Sequence, residues 1–293
     1  MRINGYPIFI RWCAEVNVHN IGCRHTFLYI NMKIQILLAT CLAFNAMSTS
    51  AWATPTGIAA AMPAEQARPS VVLVHGAFAD GSDWSKVIPL LQAKGVQVVA
   101  VQNPLSSLDD DVAVTKRTID TQTGKVVLVG HSWGGTVITQ AGDHPKVSAL
   151  VYVAAFAPDV GQSTGELGKG FPTPSGLAHI KPDTAGWVKL TQEGMSRHFA
   201  QDLPQAVTEV MAATQSPIHA GTFSQKLTTA AWKVKPSWYL LTESDRMVPP
   251  EQQRAMARTI NAKLSVVDSS HVPQQSQPSR VVDVIMEALL SLK

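Results

Sequence analysis

A serine between two glycines, an acid just past a strand-like run and a late histidine are the residues of this chain best suited to covalent chemistry. The serine is Ser132, in Gly130-His131-Ser132-Trp133-Gly134. Upstream, Lys125-Val126-Val127-Leu128-Val129 is a short, apolar, β-branched run of the kind that forms a buried parallel strand. Downstream, residues 136–141 read as the start of a helix. Gly-x-Ser-x-Gly between a strand and a helix is a nucleophile elbow. Its tight turn strains the serine backbone and lifts the hydroxyl clear of the sheet. Glycines two residues before and after remove the Cβ atoms that would strike the neighbouring strand and helix. The helix N-terminus below favours developing negative charge.

Three further segments suit that chemistry. His75-Gly76-Ala77-Phe78 follows Val71-Val72-Leu73-Val74, another buried-strand run. A His-Gly turn there presents a backbone N–H, that of Ala77, to a substrate carbonyl oxygen, with the N–H of Trp133 as the second donor of an oxyanion hole. Trp238-Tyr239-Leu240-Leu241 is a strand-like run followed by Thr242-Glu243-Ser244-Asp245-Arg246-Met247-Val248-Pro249. An acid at that place orients a histidine and stabilises its cation. Asp245 is preferred over Glu243 and Asp268, the latter read as capping the end of its strand. His271 lies in the loop after a last short strand, Leu264-Ser265-Val266-Val267. Of the other histidines, His75 reads as a brace of the oxyanion turn, and His131 as a packing or pocket-wall residue. His179, His198 and His219 read as solvated or structural.

Along the chain, strands and helices alternate at α/β spacing. Strands are predicted over 71–75, 96–102, 125–130, 147–155, 238–241 and 264–267, and helices over 84–94, 108–121, 251–260 and 279–292, besides the elbow helix. Ser82 or Asp83 is the expected cap of the first helix. That makes about six parallel strands with helices on both faces. Between 156 and 235 the rhythm stops for a stretch rich in proline, with helical patches at 184–199 and 204–213. This insertion is expected to supply most of the pocket. Phe78, His131, Phe171 and Trp187 are the candidate substrate-binding residues. Trp133, Phe199, Met211, Phe223 and Trp232 are further apolar candidates, some of which form the insertion's own core.

With Ser132, Asp245 and His271 in that chain order, the sequence resembles the α/β-hydrolase superfamily from about residue 69 to the end. Within it, His-Gly-Ala-Phe-Ala-Asp-Gly-Ser-Asp-Trp at 75–84 is similar to the small-esterase branch that includes methylsalicylate esterases and hydroxynitrile lyases. Gly-His-Ser-Trp-Gly at 130–134, Ser-Trp-Tyr-Leu at 237–240, Ser270-His271 and Ser276-Gln277-Pro278 match bacterial members of that branch. The resemblance implies an α/β-hydrolase domain over 70–293, with the insertion as a helical cap over the nucleophile. It implies a serine hydrolase that cleaves a small to medium carboxylic ester through an acyl-enzyme, with no cofactor. Lyases of the branch carry a lysine just after the histidine, where this chain has Val272 and Pro273. Lyase or perhydrolase-type activity at the same site, and a non-enzymatic small-molecule sensor, are the competing readings. The superfamily hosts many chemistries on one scaffold.

The 293 residues, 45% hydrophobic, suffice for one sizeable core. A net charge of +3 without a run of basic residues argues against a nucleic-acid partner. Residues 1–53 read as a leader. Met32-Lys33, the apolar stretch 34–44 and Ala51-Trp52-Ala53 have the layout of a secretory signal peptide over 32–53, with cleavage expected after Ala53. Residues 1–31 then lie upstream of the expected true start at Met32, and 54–69 form a linker. The apolar stretch is shorter than the roughly 20 residues of a spanning helix, so no stable membrane anchor is expected. The expected location is periplasmic or secreted. Cys13, Cys23 and Cys41 all precede the cut, which removes thiol chemistry and cysteine metal ligands from the mature chain. With no His-Glu-x-x-His and no acids clustered at ligand spacing, no metal site is expected. Oligomeric state is left open.

Overall fold

The computed structural model describes residues 69–292. The leader, the cleavage point, the cysteines and the linker up to residue 68 lie outside the described residues. A six-stranded sheet is built from β1 (Ser70–Val74), β2 (Gln97–Ala100), β3 (Val126–His131), β4 (Val147–Val153), β8 (Ser237–Thr242) and β9 (Lys263–Val267). Its order is β2-β1-β3-β4-β8-β9, and every pairing is parallel. Parallel strands need crossovers, which here are the helices α1 (Val87–Ala93), α2 (Leu108–Asp120), α3 (Trp133–Ala141) and α6 (Pro250–Thr259), and the insertion between β4 and β8; the short α7 (Pro273–Ser276) and α8 (Pro278–Leu290) follow the last strand.

Side chains alternate across the sheet and feed two cores. Val72 and Val74 of β1 join Leu128, Tyr152 and Tyr239 on the face covered by α2, α3 and α6. Val71 and Leu73 join Val129, Val151 and Leu240 on the face covered by α1 and α8. This explains why the central strands read as unbroken apolar runs: both faces are buried. The chain leaves β1 for β2 on one side and returns to β3 on the other. The crevice outside the carboxyl ends of β1 and β3 is therefore a topological switch point, where such sheets bind ligands. The turn after β1 and Ser132 after β3 flank that crevice.

Two local expectations are corrected. The segment 81–84 is a single 3-10 turn capped by Asp80, whose carboxylate accepts the N–H of Ser82, and α1 begins only at Val87. Neither Ser82 nor Asp83 is the cap. Within the insertion, residues 184–199 are not one helix. Trp187–Leu190 is strand β6, paired antiparallel with β5 (Ile180–Pro182) and β7 (Ile218–His219). The very short helix α4 (Gln192–Gly194) and a π-helical turn over Met195–Phe199 follow it. The second patch does form a helix, α5 (Gln205–Thr214). The insertion is thus a small mixed layer rather than a purely helical one. Polar contacts fix it to the sheet domain, among them Thr164 Oγ1 to Thr136 Oγ1 at 2.7 Å and the N–H of Leu108 to Gln225 Oε1 at 2.6 Å.

Candidate active site

Ser132 has φ 51° and ψ −119°, a region that a residue with a Cβ enters only when its surroundings force it. Its N–H bonds the carbonyl of Val153, and its own carbonyl accepts from the N–H groups of Gly135 and Phe156. These bonds hold the strain in place. A Cβ on Gly134 would lie 2.4 Å from the carbonyl oxygen of Val74, and one on Gly130 2.5 Å from the carbonyl oxygen of Gly134. Both glycines are needed because backbones cross there, as the elbow requires. Ser132 opens α3, so the first amides of that helix face the crevice.

The turn after β1 is held by a neutral histidine. His75 Nδ1 donates to the carbonyl of Gly76 at 2.9 Å, and Nε2 accepts the N–H of Asn103 at 3.0 Å. Asn103 Nδ2 returns a bond to the His75 carbonyl. Burial holds the pKa of His75 below the ordinary histidine value, as that pattern of one donor and one acceptor needs. The N–H groups of Ala77 and Trp133 have no acceptor among the described residues, which leaves both available to an oxyanion. The Trp133 indole is turned away into the core, where its N–H bonds Asp111 Oδ2 at 2.8 Å. Burial raises the pKa of Asp111 to about 6.

Asp245 and His271 come from the loops after neighbouring strands β8 and β9. His271 Nδ1 lies 2.7 Å from Asp245 Oδ2, and both residues are buried. The other carboxylate oxygen of Asp245 accepts the N–H groups of Met247 and Val248, while Oδ2 also accepts from Thr242 Oγ1 and Gln253 Nε2. Glu243 instead pairs with Arg254 at the surface, and Asp268 accepts from Ser244 Oγ. Neither reaches His271. Thr242 and Gln253 were not anticipated. Gln253 sits on α6 eight residues beyond Asp245, and no local pattern marks it. Asp202, from the insertion, was missed as well: it accepts the N–H of Ser270 at 2.9 Å and Ser269 Oγ at 3.2 Å.

Ser132 and His271 open on one cavity of about 230 Å³, lined chiefly by apolar groups. Of the expected lining residues Phe78 is there, together with Phe199 and Phe223. His131, Phe171 and Trp187 are not, and that expectation is corrected. His131 is fully buried beneath His271, with the ring centroids 4.8 Å apart. Trp187 packs against His219 on the small sheet. Trp133, Met211 and Trp232 also stay off the wall, which is completed by Phe156, Leu177, Ile180, Met247 and Val248. Ala77 lines the cavity too. No group of three or more His, Cys, Asp or Glu side chains suited to a metal occurs among the described residues.

A strained serine at a strand–helix turn, beside a buried acid–imidazole pair at the carboxyl ends of a parallel sheet, defines a hydrolase-type site. A model of the Alpha/beta hydrolase family matches residues 71–284, and the chain belongs to that family. A pyrethroid hydrolase of Sphingobium wenxiniae is 29% identical over 74% of this chain and 86% of its own length. Methylesterase 2 of Arabidopsis thaliana is 27% identical over 77% of this chain and 97% of its own. A crystal structure of a pyrethroid hydrolase superposes with a TM-score of 0.67 at 24% identity, covering 75% of this chain and 97% of that one, a likeness of fold. The expected fold and the expected class, an esterase-like hydrolase, are borne out.

Proposed function

We propose that this hydrolase cleaves small to medium carboxylic esters by a Ser-His-Asp acyl-enzyme mechanism and that it acts after export, as a periplasmic or secreted protein. The observation that carries the mechanism is the Asp245–His271 contact, which leaves Nε2 of His271 as the working nitrogen in the cavity that Ser132 enters. His271 takes the proton of Ser132 as its oxygen attacks the ester carbonyl. Asp245 holds the imidazole in the Nδ1–H tautomer and stabilises the cation that forms. The N–H groups of Ala77 and Trp133 receive the oxyanion. His271 then protonates the departing alkoxide, and water activated by the same nitrogen releases the acid and restores Ser132. Apart from His271, the cavity wall carries no ionisable side chain, which favours neutral, apolar esters over charged ones.

Turnover of p-nitrophenyl esters and labelling by a fluorophosphonate probe test this reading. Ser132→Ala is expected to lose about 10³- to 10⁶-fold in turnover and all labelling while keeping the parent fold. A folded Ser132→Ala protein with parental turnover overturns it.

A further inference from the structure

His131 is neither pocket wall nor plain packing. It is the last residue of β3, directly before Ser132, and is fully buried. Its Nε2 lies 2.8 Å from the carbonyl oxygen of His271, so that nitrogen carries the hydrogen and donates it. That carbonyl accepts no other hydrogen bond among the described residues. The same ring comes close to the oxyanion turn: a Cβ on Gly76 would lie 3.1 Å from His131 Nδ1. One side chain thus meets the backbone that carries Ser132, the turn that carries Ala77 and the loop that carries His271.

We propose that His131 is a positioning residue for His271, tying the histidine loop to the nucleophile elbow through its Nε2–H bond to the His271 carbonyl. The proposal rests on the reading of Ser132 and His271 given above. Two features of the surroundings suit the role. Trp84 and Phe199 stand edge-on to the ring at 6.4 and 6.3 Å, which fixes its plane. The ring must also stay neutral, because a cation there would sit 4.8 Å from the imidazole that becomes positive during the reaction. Burial supplies that neutrality by holding the pKa of His131 well below the ordinary value. The charged or titratable groups around it are His271, His75 and Asp83, whose Oδ2 is 3.5 Å from Nδ1. Asp83 in turn accepts Gln274 Nε2 at 2.6 Å, and its carbonyl accepts Gln275 Nε2 at 2.7 Å. The stretch just after His271 is therefore held from the far side as well.

The test compares two neutral amides. Glutamine places its N–H where Nε2 stands, whereas asparagine ends near Nδ1 and cannot reach the carbonyl. His131→Asn is expected to lower kcat on a p-nitrophenyl ester on the order of 10²-fold, the cost of a small misplacement of a reacting group, with KM within about twofold. His131→Gln is expected to recover at least about tenfold of that loss. Equal kcat in the two variants, or a loss carried by KM alone, overturns the proposal. Ser132→Ala measured alongside separates the two readings: if it is inactive while His131→Asn and His131→Gln behave alike, only the positioning role fails. A measurement on the parent protein covers the case in which a variant does not fold. With ¹⁵N-labelled histidine, the His131 ring is expected as the neutral Nε2–H tautomer, and a Nδ1–H tautomer overturns the proposal.

Discussion

The carboxylate of Asp245 and the Nδ1 of His271 meet at 2.7 Å although 26 residues separate them in the chain. The meeting is possible because β8 and β9 are hydrogen-bonded neighbours, from Trp238 opposite Lys263 to Thr242 opposite Val267, so the loops after them leave the sheet side by side. Asp245→Asn keeps the shape of this contact but favours the wrong imidazole tautomer. A loss of about 10⁴-fold in kcat is expected. Glu243→Gln and Asp268→Asn, which remove carboxylates that do not touch His271, are expected to stay within about threefold of the parent, the effect of exposed contacts being small. Steady-state kinetics of the three variants on one ester check this, and an active Asp245→Asn beside an inactive Asp268→Asn would reverse the assignment.

The elbow has no room at its crossing point. Gly134→Ala drives a methyl group to 2.4 Å from the backbone oxygen of Val74, and neither backbone can yield without moving β1 or α3. Overpacking of this kind costs about 1–3 kcal/mol or more. Thermal unfolding is expected to shift down by at least several degrees, with loss of fluorophosphonate labelling at Ser132. An unshifted melting temperature with full labelling would show that the strand and helix are farther apart than described.

Two buried carboxylates make stability depend on pH in the direction opposite to acid denaturation. Burial raises Asp83 from 3.8 to about 6, and Asp111 likewise to about 6. Each holds its proton more tightly in the folded than in the unfolded chain. Between pH 4 and 6 the folded state therefore binds more protons, and their contribution to stability falls as pH rises through that window. For each group the difference corresponds to roughly 3 kcal/mol. Asp83→Asn carries a permanently neutral amide and escapes the penalty. Its melting temperature relative to the parent is expected to rise from pH 4 to pH 7. A difference that stays flat with pH would show that Asp83 titrates as an ordinary surface acid.

Export predicts a particular mature chain. Material recovered from the periplasm or medium is expected to begin at Thr54, after Ala51-Trp52-Ala53, and to react with no thiol reagent, since all three cysteines lie upstream. Intact-mass analysis checks both, and retention of residues 1–53 in that material would refute it.

Much of the site was readable because its signals are local. Apolar, β-branched runs marked the six strands, and Gly130 to Gly134 announced the elbow: strand, tight turn and helix follow one another between Val126 and Ala141, and each is encoded by its own neighbours. The mild composition likewise needed no folding to be read. Folding decided the rest. Three acids stood near β8 and β9, and only strand pairing brings Asp245, rather than Glu243 or Asp268, onto His271. The insertion misled for the same reason. Trp187-Val188-Lys189-Leu190 sits in a segment whose pattern fits a helix, yet it becomes a strand because residues 180–182 and 218–219 supply edges for its backbone bonds. Cavity walls show it most plainly: Phe156 and Met247 line the cavity that Ser132 enters, while Trp187 and His131 do not. An aromatic residue carries the same local signal whether it lines a cavity or a core, and only the packing of distant segments assigns it to one or the other.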